Sequence, residues 1–364
     1  MASRNGQWRW QSAAKIAAAT TALVLGLTAC GSSSGGTTDA GASGSGSGSG
    51  APSSDLKVGM AYDVGGRGDK SFNDLAAAGL DKAKSDLGVD IKELSAVNGE
   101  TDAQKADRLT LLATSGYNPI VAVGFAYATA LGEVAPKFPD TKFAIVDDSS
   151  IDQPNVEGLV FTENESSYLV GVAAASASTT KNIGFIGGVQ TPLIQKFQAG
   201  YEAGAKSVDP SITVQVTYLS QAPDFSGFND PAKAKTTADG MYDGGADVVY
   251  HAAGGSGSGL FESAAGKKKL AIGVDSDQYN SAPADQKEYI LTSALKGVDV
   301  AVFSFIEEDS KGDFTAGAKT FSLKDDGVGY STSNPKIDDY KDAIEKAKAA
   351  IIAGTVTVPT APTS

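Results

Sequence analysis

KVGMAYDVGGRGDKSFNDLAAAGLDKAKSDL, residues 57–87, decides the fold. Lys57–Tyr62 is a short apolar run of strand length. A glycine-rich turn follows it. Phe72–Leu87 then carries apolar residues at helical spacing, with Ser71 placed as an N-cap. A strand that runs through a tight loop into a helix is the unit of a parallel sheet.

The same unit recurs along the chain. Further strands are expected at Ile120–Val123, Phe143–Val146, Val156–Phe161, Asn182–Ile186, Val214–Tyr218, Asp247–Tyr250, Leu270–Val274 and Tyr289–Thr292. Helices are expected at Ala103–Ser115, Thr129–Lys137, Tyr168–Ser178, Pro192–Val208, Pro231–Tyr242, Leu260–Lys267, Val298–Lys311 and Ile337–Ile352. A chain of 364 residues exceeds what one compact core usually holds, and this many strands suits two sheets. The expectation is an α/β fold of two Rossmann-like lobes, with parallel sheets and a cleft between them. Lobe 1 takes about 55–158 plus about 292–322. Lobe 2 takes about 159–291 plus the C-terminal part, and 353–364 form a flexible tail.

Ligands of such sheets bind beyond the carboxyl ends of the strands. The loops there are polar or rich in glycine. Asp63 ends the first strand and Phe72 opens the following helix, offering a carboxylate and an aromatic plate, or else a turn former and a core anchor. Asp275 ends AIGVD, and Lys296 follows YILTSA. Together they either bond vicinal hydroxyls or pair with each other to close the cleft. Phe225 and Phe228 lie in the turn-rich stretch PDFSGFNDP, as a sandwich for a planar ligand or as a small satellite core. The loop HAAGGSGSG, residues 251–259, has neither a clean dinucleotide fingerprint nor the Lys-Ser/Thr of a phosphate loop. It lets backbone approach a ligand closely, and its lone His251 reads as structural.

The bulk composition excludes several classes. A formal net charge of -13 argues against a nucleic-acid partner. One cysteine and one histidine leave no zinc cluster to build, and no calcium loop is present. Adjacent carboxylates such as Asp147-Asp148 do not make the facing pair of a glycosidase.

The N-terminus reads as an export signal. Arg4, Arg9 and Lys15 precede the apolar run Ile16–Leu27, which is shorter than the roughly 20 residues that span a bilayer. Leu27-Thr28-Ala29-Cys30 then looks like a lipobox, where leader 1–29 is cut and Cys30 is acylated. Residues 30–54 continue as a Gly/Ser tether that reaches on the order of 25 Å. The expected location is the extracytoplasmic face of the cell membrane.

Taken in order, these motifs resemble the BMP/PnrA-like basic membrane lipoproteins, the nucleoside receptors of ABC importers. The resemblance rests on DVGGRGDKSFND, VAVGFAYATAL, KFAIVDD, NVEGLVFTENESSYLVGVAAA, PLIQKFQAGYEAGA, DVVYHAAGGSGSGLFESA, AIGVDSDQ and ILTSALKGVDVAV. It implies a type I periplasmic-binding-protein fold that closes on a nucleoside, a purine one in that family, without catalysis and without a cofactor. In that reading Asp63 and Asn73 bond the base edge, and Phe72 stacks on the base with Phe225 or Phe228 opposite. Asp275 and Lys296 hold the ribose hydroxyls. Gly254 lines the sugar side, and Gly124, Phe125 and Asp147 line the wall of lobe 1. The implied partners are a nucleoside, an ABC permease and the membrane lipid, with the protein a monomer. The competing expectations are a module for a sugar or small signalling molecule, and a secreted hydrolase.

Overall fold

The computed structural model describes residues 55–362. The leader, Cys30 and the tether lie outside the described residues. The chain opens with β1 (Lys57–Ala61), α1 (Phe72–Leu87), β2 (Asp90–Leu94), α2 (Asp102–Thr114), β3 (Ile120–Ala122), α3 (Ala128–Val134), β4 (Phe143–Val146) and β5 (Val156–Phe161). It crosses into α4 (Glu163–Ala177), β6 (Asn182–Gln190), α5 (Pro192–Val208), β7 (Thr213–Gln221), α6 (Pro231–Asp243) and β8 (Val248–Ala252). The same lobe continues with α7 (Gly257–Lys267), β9 (Leu270–Asp275), the single turn α8 (Gln278–Ser281) and β10 (Ile290–Lys296). It returns for α9 (Val298–Lys311) and β11 (Gly317–Phe321), then crosses a third time into β12 (Val328–Tyr330) and α10 (Lys341–Ile352).

Two six-stranded sheets result, in the orders β11-β5-β4-β3-β1-β2 and β12-β10-β9-β8-β6-β7. Every pairing is parallel except β10 with β12. The central strands are buried along their whole length, as in β4 (FAIV) and β8 (VVYHA), because helices cover both faces. The two orders match position for position, so the lobes are copies of one plan. The strand ends of each lobe therefore meet those of the other as counterparts.

Three strands have no counterpart in the sequence reading: β2 (DIKEL), β11 (GAKTF) and β12 (VGY). All three are sheet edges, half-exposed and poor in apolar side chains. Helix α4 begins five residues before the expected Tyr168, because its first turns bury the polar Glu163, Asn164, Ser166 and Ser167. The expected lobe boundaries also shift. β5 keeps residues to Phe161 in the first sheet, and β10 pairs with β9, so Lys296 belongs to the second lobe. The C-terminal segment is not the loose tail expected from 353. Val358 is buried, and Asn164 donates a 3.0 Å hydrogen bond to its carbonyl. Val358 joins the main core cluster, and Val356 packs against it, partly buried.

Candidate functional site

A cleft lies at the carboxyl ends of the strands and takes its walls from both lobes, with about 550 Å³ of empty space when the solvent at its mouth is included. Asp63, Phe72, Asn73, Phe125 and Asp147 come from the first lobe, and Phe228, Gly254, Asp275 and Lys296 from the second. These are nine of the eleven residues expected at the site. Gly124 and Phe225 do not line it. Gly124 sits behind Asp63 at φ +103°, and a Cβ there would stand 2.5 Å from Asp63 Oδ2. Both facts call for glycine. Phe225 packs edge-on against Phe125 with ring centroids 5.8 Å apart. Of the two phenylalanines in PDFSGFNDP, the cleft takes Phe228.

The loop between β1 and α1 is shaped by carboxylates. The sequence suggests Ser71 as the cap of α1, but its side chain makes no capping bond. Asp69 caps instead, accepting from the backbone N–H of Ser71, Asn73 and Asp74 at 2.8–3.1 Å. Ser71 is thereby free to donate across the cleft to Asp275 Oδ2 at 3.0 Å. Asn73 is occupied locally. Its Oδ1 accepts from the Asp63 N–H at 3.1 Å and its Nδ2 donates to Asp69 at 3.0 Å. It fixes Asp63 in place and turns little hydrogen-bonding capacity toward the cleft.

Lys296 does not form the ion pair with Asp275 that the sequence allowed. Its Nζ donates to Asp147 Oδ2 at 2.6 Å across the lobes and stands 3.7 Å from Glu163. The side chains of Lys296 and Asp147 are 3% and 5% exposed, so the pair is almost fully desolvated. The ammonium also lies 4.9 Å from the centroid of Phe72, 5.1 Å from Phe161 and 5.6 Å from Phe197. Rings at that distance attract a cation. Burial alone would lower the Lys296 ammonium. The charges of Asp147, Asp275 and Glu163 outweigh it and hold the group above its ordinary value.

Asp147 and Asp275 are counterparts, at the ends of β4 and β9. Both have left-handed backbone, at φ +69° and +61°. Such strain away from glycine is held only where surrounding structure enforces it. Each has one buried carboxylate oxygen, Oδ1, with no hydrogen-bond partner. Burial pushes the Asp63 and Asp275 carboxyls up to about 6, and it raises Glu163 as well. The site thus offers acceptor oxygens in excess, one ammonium, and half-buried rings from each lobe.

The sequence reading missed several wall residues. Leu193, Ile194 and Phe197 open α5, and Val64 and Asp69 lie in the first loop. The apolar character of the α5 residues gave no sign of a site, and Val64 and Asp69 lie in a loop expected at the cleft but carry no mark of their own. Glu163 was hidden for another reason: a buried acid at a helix start looks like any first-turn acid until its lysine partner is known.

The described residues match a family of known proteins along almost their whole length. The sequence profile of the Bmp family, described as "ABC transporter substrate-binding protein PnrA-like", fits residues 56–361. The "ABC transporter nucleoside-binding protein BmpA" of Lactococcus lactis is 37% identical over 84% of this chain and 90% of its own. An uncharacterized lipoprotein of Pyrococcus horikoshii is 36% identical over 93% of this chain and 81% of its own. Among solved structures, an ABC transporter solute-binding protein from Aeropyrum pernix superposes with a TM-score of 0.73 at 30% identity, over 84% of this chain and 93% of its own.

Proposed function

Since this chain belongs to the PnrA-like family of ABC transporter substrate-binding proteins, we propose that its cleft binds a nucleoside and delivers it to a membrane permease. One observation carries this reading. Half-buried Phe72 and Phe228, one from each lobe, line the same cleft as two buried carboxylates whose Oδ1 atoms lack donors. Unpaired buried acceptors are costly, and a ligand's hydroxyl groups relieve that cost. Aromatic rings from both lobes suit a flat base, and stacking adds about 0.5–1.5 kcal/mol per ring beyond area burial. The cleft's charge favours a neutral guest. Asp63, Asp69, Asp147 and Asp275 line it, and Lys296 is the only basic side chain among the described residues that do. A phosphate would meet carboxylates, so nucleosides are accepted and nucleotides rejected. The nucleoside-binding name of the Lactococcus relative supports the same substrate class.

In this reading Asp275 and Lys296 hold the ribose, Asp63 takes the base edge, and a purine fills the space between the rings. The protein works as a monomer held to the extracytoplasmic face of the membrane through acylated Cys30. Binding selects the closed arrangement of the lobes, which the permease then recognises. No bond of the ligand is broken.

Calorimetry with adenosine, guanosine, inosine, uridine, their 5′-monophosphates and a sugar panel tests this. Purine nucleosides are expected to bind one per chain, and the monophosphates and sugars at least a hundredfold more weakly. Tighter binding of a sugar, or of a monophosphate, contradicts the proposal. Repeating the titration from pH 7.5 to 5 adds a signature. Asp275 accepts hydroxyl hydrogens most strongly, and through both oxygens, when ionised, and its carboxyl sits at about 6. Affinity should fall about tenfold for that one group as the pH drops to 5, with proton release on binding near pH 6.

A further inference from the structure

A second set of contacts joins the lobes outside the cleft. Lys70, in the first lobe, has left-handed backbone at φ +54°. Its carbonyl accepts two hydrogen bonds from the second lobe, from Ser276 Oγ at 2.7 Å and Gln278 Nε2 at 3.1 Å. None of Lys70, Ser276 and Gln278 lines the cleft.

Gln278 is held ready by its own lobe. It is 2% exposed, and its backbone N–H donates to Ser293 Oγ at 3.2 Å. A carbonyl can only accept, so the amide atom facing Lys70 is the NH₂ group and the other is Oε1. That oxygen accepts from the Val274 N–H at 2.9 Å and faces His251 Nε2 at 2.9 Å. His251 must therefore donate through Nε2, which leaves Nδ1 without a proton or a partner. Burial pushes the imidazole down to about 4, which keeps it neutral. The space above the ring exists because position 257 is glycine: a Cβ there would overlap His251. The glycine-rich loop after β8 thus houses the histidine as well as lining the cleft.

We infer that Gln278, oriented by His251 and joined by Ser276, is a latch that holds the lobes closed by gripping the Lys70 carbonyl, and so slows ligand release without touching ligand. His251 is a positioning residue: it fixes which end of the amide faces the other lobe. The latch rests on the reading that closure traps a nucleoside. The donor half is held by bonds internal to lobe 2, so it meets the Lys70 carbonyl only where the lobes come together.

Two variants test it in the full chain. Ser276→Ala removes one donor at a partly exposed position and leaves the core intact. Gln278→Glu keeps the acceptor that His251 and Val274 need, but sets a carboxylate oxygen against the Lys70 carbonyl. Each should raise the nucleoside off-rate about three- to tenfold, with the on-rate unchanged within twofold. Gln278→Glu should recover as acidification protonates the new carboxyl and restores a donor. In parallel, spin labels at Asp90→Cys and Thr213→Cys, both exposed and on opposite lobes, report the spacing of the lobes in a Cys30→Ser background. The variants should shift the ligand-free distribution toward longer distances. Unchanged off-rates and unchanged distances in both variants would overturn the latch. A parent protein that binds no nucleoside would overturn the functional reading instead, while the label distances would still decide the latch.

Discussion

Replacing Asp275 with asparagine should make the ligand-free protein more stable and nucleoside binding 10- to 100-fold weaker. The carboxylate is buried, has an oxygen with no partner, and occupies a left-handed conformation that asparagine also tolerates. Burial raises its carboxyl from 3.8 to about 6, which corresponds to about 3 kcal/mol of penalty on the charged form at neutral pH. The sign follows from linkage. A carboxyl raised in the folded state favours folding below pH 3.8, and that contribution is lost as the pH rises through about 6. At pH 7.5 the wild type bears the full penalty and the neutral amide does not, so the variant should melt higher. Near pH 4 the difference should vanish. Binding moves the other way, because a charged acceptor is worth roughly 1.5–3 kcal/mol per hydroxyl hydrogen bond. Melting curves at both pH values, with calorimetry at pH 7.5, check both halves. A lower melting point together with unchanged affinity would mean that Asp275 is a framework residue.

Lys296→Met should have the opposite effect on stability. The ammonium is the cation between Asp147 and Glu163, and its charge also acts on Asp275. Methionine matches its length and apolar stem but leaves those acids facing one another. Removing one partner of a buried pair typically costs about 3–5 kcal/mol, because the remaining charge is uncompensated. The variant should unfold at correspondingly lower denaturant and bind nucleoside too weakly to measure. Adding Asp147→Asn should recover part of the stability and none of the binding. Full recovery of binding in the double variant would show that the pair only closes the cleft.

These two residues show how far the sequence was readable. Asp275 and Lys296 were identified as strand-end charges, which is why they stood out. Their partners were not legible. Asp147 and Glu163 reach Lys296 from strand and helix ends far away in the chain, and nothing in local spacing encodes that meeting. The central strands were plain because burial on both faces writes a continuous apolar run. β2, β11 and β12 were not, since an edge strand needs only backbone pairing and half-covered side chains. Ser71 illustrates a third kind of gap. Its position before α1 satisfies the capping rule, but Asp69 outcompetes it, and the serine serves the other lobe instead.

A nucleoside is expected between the two lobes, its base beside Phe72 and Phe228 and its ribose on Asp275 and Lys296. A crystal structure of the protein grown with a purine nucleoside tests it most directly. One ligand should occupy the cleft, with ring contacts to both phenylalanines and ribose hydroxyls within hydrogen-bond distance of the Asp275 carboxylate. A ligand seated elsewhere, or one in the cleft whose hydroxyls turn away from Asp275 and Lys296, would contradict it.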